Sequence, residues 1–238
     1  MSGEHGLIFL VDPEYSKCYF EIFGRPDFGI ELQPKYFFSD LFLPTDSLIR
    51  MYGIDLIELE KFKSKLLAAV MGASLVEIST RSGTEIAIQP RSWFSTEVGE
   101  IYTAPKEYTA EGKIVVDGCA YTGPPKEVFT LELKDGRVVN IDLLNKDDSQ
   151  QQWVMGDLTR DQNANALAEF GIGINPGALW YAELMEAECA LGTCHFGFGH
   201  NIAYGGRIKS AYHVDYVVRE PTIIVDGKTI CAAGKYVF

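Results

Sequence analysis

The stretch VFTLELKDGRVVNIDLL, residues 128–144, gives the clearest indication of the fold. Two runs of β-branched, aromatic and leucine residues flank Asp135-Gly136, a dipeptide favoured by tight hairpins. The pattern predicts two antiparallel strands joined by a short turn.

Further hairpin patterns lie on both sides of this stretch. LVEIST (75–80) and EIAIQP (85–90) flank a polar turn, KIVVDGCAY (113–121) reads as a strand, and TIIV (222–225) and KTIC (228–231) flank Asp226-Gly227. Strands are therefore expected to dominate from Leu75 onward. Nearer the start, GLIFLV (6–11) and CYFEIF (18–23) also read as short strands.

Three segments have helical patterns. Residues 55–72 place apolar side chains at steps of three and four, between Asp55 near the start and Gly72 after the end. A polar helix is expected over 149–167, with Ser149 as its cap, and another over 179–191, ending at Gly192.

These elements predict a mixed α and β fold. We expect a small N-terminal α/β part over residues 1–74 and a mainly antiparallel, β-rich catalytic part with flanking helices over 75–238, divided where the composition changes near Leu75. Residues 24–44, rich in proline, glycine and aromatics, are expected to form a packed, irregular connection.

Composition narrows the classes of partner. The net charge is -12, from 33 acidic and 21 basic residues, and the basic residues are scattered, so no nucleic-acid partner is expected. No run of 18 apolar residues and no signal-peptide pattern occurs, so we expect no membrane association. Five cysteines without C-x-x-C spacing favour a reducing compartment, and the sequence predicts a cytoplasmic protein.

Residues 192–216 hold three of the four histidines and end on the His213-x-Asp215 motif. Residues two apart in a strand face the same side, so His213 and Asp215 are suited to one metal ion, with His195 as a third ligand. Three ligands leave coordination positions open for water or substrate, as a catalytic site requires. The alternative is a set of ordinary hydrogen-bonded histidines; His200 is expected at the surface or behind the ligands.

Several blocks together resemble the thermophilic metallo-aminopeptidase family, which includes aminopeptidases T and S. The blocks, in the family's order, are SGTEIAIQP (82–90), VGEIYTAPKEYTAEGKIVVDG (98–118), AEFGIGINP (168–176), GTCHFGFG (192–199) and HVD (213–215). The resemblance covers about residues 53–236.

That resemblance implies a specific site and reaction. Glu100, Glu169, His195, His213 and Asp215 match the family's metal ligands and imply two divalent ions, zinc, cobalt or manganese, that activate water against a peptide substrate. The expected function is thus an aminopeptidase, a hydrolase, with Glu100 or Glu169 moving the proton and a homodimer as the assembly.

The chain departs from the family in two places. The family's tyrosine, seven residues after the first ligand histidine, is Ile202 here, and Tyr204 is the candidate to replace it as a catalytic residue. The chain is also shorter on its N-terminal side.

Two alternatives follow from these departures. The 2,5-dihydroxypyridine dioxygenases resemble the same aminopeptidases but use one ferrous ion, for which His195, His213 and Asp215 would suffice, leaving faces for oxygen and a small aromatic substrate. The other alternative is a non-catalytic, metal-binding relative.

Overall fold

The computed structural model describes residues 43–96, 99–120, 123–142 and 149–237. Within these residues the chain forms thirteen strands and four α-helices, and every strand pairing is antiparallel. The predicted β-rich fold of mixed class is confirmed at this level. The strands predicted at 6–11 and 18–23, and nearly all of the connection at 24–44, lie outside the described residues.

The helices are α1 (Thr45–Tyr52), α2 (Leu56–Val70), α3 (Ser149–Leu158) and α4 (Leu184–Ala187). Helix α2 begins as predicted, because the Asp55 carboxylate accepts hydrogen bonds from the backbone N–H groups of Ile57 and Glu58. No helix in the described part of the chain is both long and apolar enough to cross a membrane.

The strands form two sheets. In chain order they are β1 (Val76–Ser79), β2 (Glu85–Ile88), β3 (Pro90–Ser95), β4 (Glu100–Pro105), β5 (Glu111–Val116), β6 (Phe129–Lys134), β7 (Arg137–Asp142), β8 (Leu167–Gly173), β9 (Thr193–Gly199), β10 (His213–Arg219), β11 (Thr222–Val225), β12 (Lys228–Ala232) and β13 (Lys235–Tyr236). The eight-stranded sheet has the order β13-β12-β11-β1-β2-β5-β6-β7, and the five-stranded sheet has the order β10-β9-β8-β4-β3.

The hairpin of β6 and β7 forms as predicted. Asp135 and Gly136, between β6 and β7, have φ angles of 49° and 66°, as a two-residue turn with the twist of the flanking strands requires. Asp226 and Gly227, with φ angles of 47° and 80°, make the corresponding turn between β11 and β12.

The two sheets and helix α2 share one hydrophobic core. Tyr216 of the five-stranded sheet packs edge-on against Phe129 of the eight-stranded sheet, with ring centroids 5.5 Å apart. Leu66 and Val70 of α2 are fully buried in the same core. The core therefore lies on one face of the five-stranded sheet and leaves the other face for the site.

Two predicted helices are shorter than expected. The helix predicted over 149–167 ends at Leu158, because the Asp161 side chain accepts from the Asn163 N–H and turns the chain toward β8. The helix predicted over 179–191 is a single turn, α4. Its expected first turn is lost because the Leu179 N–H donates to the Glu186 side chain.

Candidate metal centre

Alternating residues give β8 and β9 two different faces. Residues 169–173 read E-F-G-I-G and residues 195–199 read H-F-G-F-G. The phenylalanine and isoleucine side chains at alternate positions are buried in the shared core. Because side chains alternate along a strand, Glu169, His195 and the glycines project from the opposite face.

Register brings all five predicted ligands to this opposite face, which we call the metal face. Residues directly opposite each other in an antiparallel pair project to the same side. The pairs that join the ligands across β10, β9, β8 and β4 are Asp215–Gly197, Gly197–Glu169, His195–Gly171, His213–Gly199 and Glu100–Gly173.

Two glycines at the centre of this face, Gly171 and Gly197, are important because they have no side chain and so leave space for the ligands. A methyl group on Gly197 would lie 2.6 Å from Asp215 Oδ1 and 2.8 Å from His213 Nε2. One on Gly171 would lie 2.0 Å from His195 Nε2. Each of these glycines therefore permits a ligand side chain to fold over the neighbouring strand.

The ligand atoms lie close together. His213 Nε2 is 3.2 Å from Asp215 Oδ2 and 3.3 Å from Glu169 Oε2. His195 Nε2 is 3.5 Å from Glu100 Oε2 and 3.6 Å from Glu169 Oε1. The Glu169 carboxylate thus lies between the two imidazoles.

The orientation of His213 suits a metal ligand. Its Nδ1 lies 2.7 Å from the carbonyl oxygen of His200 and donates to it. This hydrogen bond leaves Nε2 facing the carboxylates, as in many metal-binding histidines. His200 therefore acts through its backbone, while its ring nitrogen is 3.5 Å from the Ser210 N–H.

Glu100, the first residue of β4, is held by two hydrogen bonds to Thr96. The Thr96 N–H donates to the Glu100 carbonyl oxygen, and the Glu100 N–H donates to the Thr96 hydroxyl. Lys63 of α2, itself buried, donates to the Thr96 carbonyl oxygen at 3.2 Å. Helix α2 thereby holds Thr96, the residue that positions this glutamate.

Glu188 is a site residue that sequence reasoning missed. It follows α4, is buried, and places a carboxylate oxygen within 4.8 Å of ligand atoms of His195 and Asp215. In the described residues a second such trio consists of Glu169, His213 and Asp215, so Asp215 belongs to both. The sequence holds one signal for it, an acidic residue directly before residues 189–194, which include no charged side chain.

The buried carboxylates around His195 concentrate negative charge in the cluster. Burial, together with Glu100 and Asp215, raises the pKa of Glu188 well above its usual value. Burial disfavours a charged ring at His195, but Glu169, Glu100 and Glu188 outweigh it and raise its pKa to about 10. Buried without a cation, this cluster carries an electrostatic cost that a bound divalent ion would relieve.

Tyr204 lies beside the cluster, on a one-turn 3₁₀ helix spanning Ile202–Tyr204. Its ring is edge-on to His213, with centroids 5.3 Å apart. Burial first, and then the charges of Glu169 and Asp215, raise the pKa of Tyr204, so its phenol is protonated at neutral pH.

The donor set fits a divalent metal ion. Metal–ligand bonds of about 2.1 Å place adjacent donors ~3 Å apart, close to the observed separations of 3.2–3.6 Å. His213 Nε2 and Asp215 Oδ1 are buried without a hydrogen-bond partner. Imidazole and carboxylate together suit iron, manganese and zinc.

Comparison with known proteins finds one matching family and a curated protein similar in sequence. The profile of the NicX family, 2,5-dihydroxypyridine 5,6-dioxygenase, matches residues 70–238. The curated 2,5-dihydroxypyridine 5,6-dioxygenase of Pseudomonas putida KT2440 is 27% identical over 164 residues, 63% of this chain and 46% of that protein. This chain therefore spans less than half the length of that relative.

Solved structures share the fold. The 2,5-dihydroxypyridine dioxygenase from Pseudomonas putida KT2440 superposes with a TM-score of 0.68 at 22% identity, covering 82% of this chain and 63% of that one. AmpT from Thermus thermophilus superposes with a TM-score of 0.59 at 15% identity, covering 81% and 58%. Both resemblances noted in the sequence are thus supported, the second at the level of fold.

The predicted aminopeptidase function is wrong. The family profile and the curated relative both indicate a dioxygenase, an oxidoreductase and not a hydrolase or metalloprotease. The error has a physical origin, because two histidines and a carboxylate suit the metal site of a hydrolase as well as that of an oxygenase. Glu100 and Glu169, which suggested a second ion, are brought to the cluster without deciding the reaction.

Proposed function

Since this chain belongs to the 2,5-dihydroxypyridine 5,6-dioxygenase family, we propose that it is a ring-opening dioxygenase that uses one ferrous ion and a hydroxylated pyridine. The observation that carries the proposal is the placement of His195, His213 and Asp215 on one sheet face. Asp215 lies within 4.8 Å of each histidine, in one group with Glu188 and in another with Glu169. Two histidines and one carboxylate are the ligands of many non-haem Fe(II) oxygenases.

His195, His213 and Asp215 would hold the iron in this proposal. The hydrogen bond from His213 to the His200 carbonyl fixes the ring with Nε2 toward the carboxylates, where it would be available to bind the ion. Bound ferrous iron supplies the one-electron chemistry that lets dioxygen react with an electron-rich ring.

Glu169 is the candidate for the proton transfer that the reaction requires. In a 5,6-dioxygenation the C5–C6 bond breaks and both oxygen atoms of dioxygen enter the product, which gains a carboxyl and a formyl group. The substrate hydroxyl loses its proton in this change. Glu169, with one carboxylate oxygen 3.3 Å from His213 Nε2 and the other 3.6 Å from His195 Nε2, is placed to receive it.

The first experiment measures iron content and oxygen uptake together. We expect about one iron per chain after anaerobic loading, and one dioxygen consumed per 2,5-dihydroxypyridine. His213→Ala and Asp215→Asn should each lose iron and at least ~100-fold of the activity, because a ligand is removed. Glu132→Gln, an exposed carboxylate on β6, is the matched control and should behave as wild type.

Two results would contradict the proposal. One is iron-loaded wild-type protein that takes up no oxygen with hydroxylated pyridines. The other is His213→Ala that keeps both its iron and its turnover, which would reject the ligand assignment. A native zinc, cobalt or manganese ion would appear in the same metal analysis.

A further inference from the structure

Three aromatic side chains line the metal face beside the ligands. Phe94 stacks on Tyr102 with centroids 5.7 Å apart and planes at 25°. Tyr102 meets Tyr204 edge-on at 5.4 Å, and Tyr204 meets His213 edge-on at 5.3 Å. We call Phe94, Tyr102 and Tyr204 the aromatic wall.

Sheet register places the wall on the same face as the metal ligands. Tyr102 is opposite Gly171, and Gly171 is opposite His195 on its other side. The His195 ring lies over Gly171, where a methyl group would be 2.0 Å away. Tyr102 and His195 therefore project side by side without an intervening side chain.

The exposure of the ligands shows where the cluster is accessible. The side chains of His195, Glu169 and Glu100 are 1%, 8% and 11% exposed, whereas those of His213 and Asp215 are 20% and 16% exposed. The cluster is therefore most accessible on the side of His213 and Asp215. Tyr204 packs against His213 on that side.

The wall continues from this point toward solvent. Phe94, its outermost member, is 38% exposed. Residues 94, 102 and 204 bring flat apolar surfaces without a charged group, and aromatic rings prefer stacked or edge-on contacts with other rings. This chemistry suits a planar ring better than a flexible aliphatic or peptide chain.

We infer that the aromatic wall binds the ring of a planar heteroaromatic substrate and orients it toward the metal, with Tyr204 contacting the ring beside His213. The inference rests on the proposed function and assigns the residues that recognise the ring. Metal coordination would hold the polar substituents of the substrate, and the aromatic wall would contact the faces and edges of its ring.

Binding without turnover tests this inference. Full-length protein loaded with Fe(II) is titrated anaerobically with 2,5-dihydroxypyridine and, separately, with oxalate, an aliphatic chelator that needs only the metal. Tyr204→Leu and Tyr102→Leu should bind the pyridine about tenfold more weakly, the loss of one aromatic contact. Their oxalate affinity should stay within about twofold of wild type. Tyr204→Phe, which keeps the ring, should bind both compounds normally.

The outcomes separate failure of the inference from failure of the proposed function. Unchanged pyridine affinity in both leucine variants, with turnover intact, would overturn the wall and leave the dioxygenase proposal standing. Equal losses for pyridine and oxalate would also overturn it, because the substitutions would then act on the metal. Wild-type protein that binds oxalate but no hydroxylated pyridine would overturn both.

Phe94→Leu, at the exposed end, supplies a variant with little risk to folding, and thermal melting checks every variant.

Discussion

Gly197 lies between Glu169 and Asp215 in the sheet register, and its missing side chain leaves room for the His213 ring. Gly197→Ala should therefore reduce iron affinity by at least ~10-fold, because the new methyl group would lie 2.6 Å from Asp215 Oδ1 and 2.8 Å from His213 Nε2. Overpacking should also lower the free energy of unfolding by about 1–3 kcal/mol. Competition with a coloured chelator measures the affinity.

A glycine elsewhere provides the control for this substitution. Gly156, exposed on α3, has no atom within 4 Å of a methyl group added to it. Gly156→Ala should keep full iron affinity and raise stability by about 0.5–1 kcal/mol, the gain expected of alanine in a helix. Normal iron binding by Gly197→Ala would show that the metal face tolerates a side chain at its centre.

Among the individual site residues, the sequence predicts some for physical reasons and others only by resemblance. His213 and Asp215 follow from the two-residue period of a strand. Glu100 and Glu169 are two among 33 acidic residues, and only resemblance selected them. Glu188 was missed because its position depends on how the chain turns between α4 and β9, which a repeating pattern does not encode.

The loop from β9 to β10 carries Tyr204, and the Asp161 side chain is one of several that hold the loop in place. The Asp161 carboxylate accepts from the Ser210 hydroxyl and the Ala211 N–H, both at 2.7 Å. Asp161→Ala should increase hydrogen–deuterium exchange in residues 200–212 and raise KM, since Tyr204 would no longer be held beside His213. Exchange in β8 should not change. Unaltered exchange in the loop would show that other contacts suffice to fix it.

The segment that delivers Glu188 depends on a buried ion pair. Arg50 of α1 donates two hydrogen bonds to Glu186, at 2.8 and 2.7 Å, and the glutamate side chain is fully buried. Arg50→Met should lower the free energy of unfolding by about 2 kcal/mol, less than for a fully buried pair because the arginine is one-third exposed.

The pH dependence of this pair has a defined sign. Burial would raise the pKa of Glu186, but Arg50 outweighs it and the pKa is lowered. The stabilisation is therefore present above the unfolded-state pKa of about 4.3 and is lost as the pH falls through the folded-state value. Denaturation of wild type and Arg50→Met should show a smaller difference in the free energy of unfolding at pH 3 than at pH 7; a difference independent of pH would contradict this account.

Hairpins were predicted better than helices at the level of elements. The turns at residues 135–136 and 226–227 carry local backbone requirements that the sequence states directly. The two shortened helices depend on side-chain hydrogen bonds from Asp161 and Glu186. Such contacts compete with helical hydrogen bonds and leave no periodic signal.

For the whole molecule, the buried cluster links metal binding to stability. An ion that binds only the folded state stabilises it by about 2.7 kcal/mol at 100 times its Kd. For a chain of 238 residues this should raise Tm by about 5–10 °C. Calorimetry with and without ferrous iron under anaerobic conditions measures the shift; His213→Ala should show none. An equal shift in that variant would place the binding ion elsewhere.

Larger-scale features of the sequence analysis remain predictions. These are the division at residues 74 and 75, the homodimer and the cytoplasmic location. This chain spans 46% of the length of the Pseudomonas relative.

The antiparallel register of the metal face also makes it a template for design. On this face a ligand on one strand lies opposite a glycine on the next, and neighbouring strands are about 4.8 Å apart. Exchanging a ligand with the glycine opposite it, as at His195 and Gly171, would transfer a donor sideways by one strand, since the three atoms nearest to a methyl group on Gly171 all belong to the His195 ring that the exchange removes. The position of a bound cation relative to the aromatic wall could then be adjusted in discrete steps, giving a series of catalysts that differ in where the ring is presented to the metal.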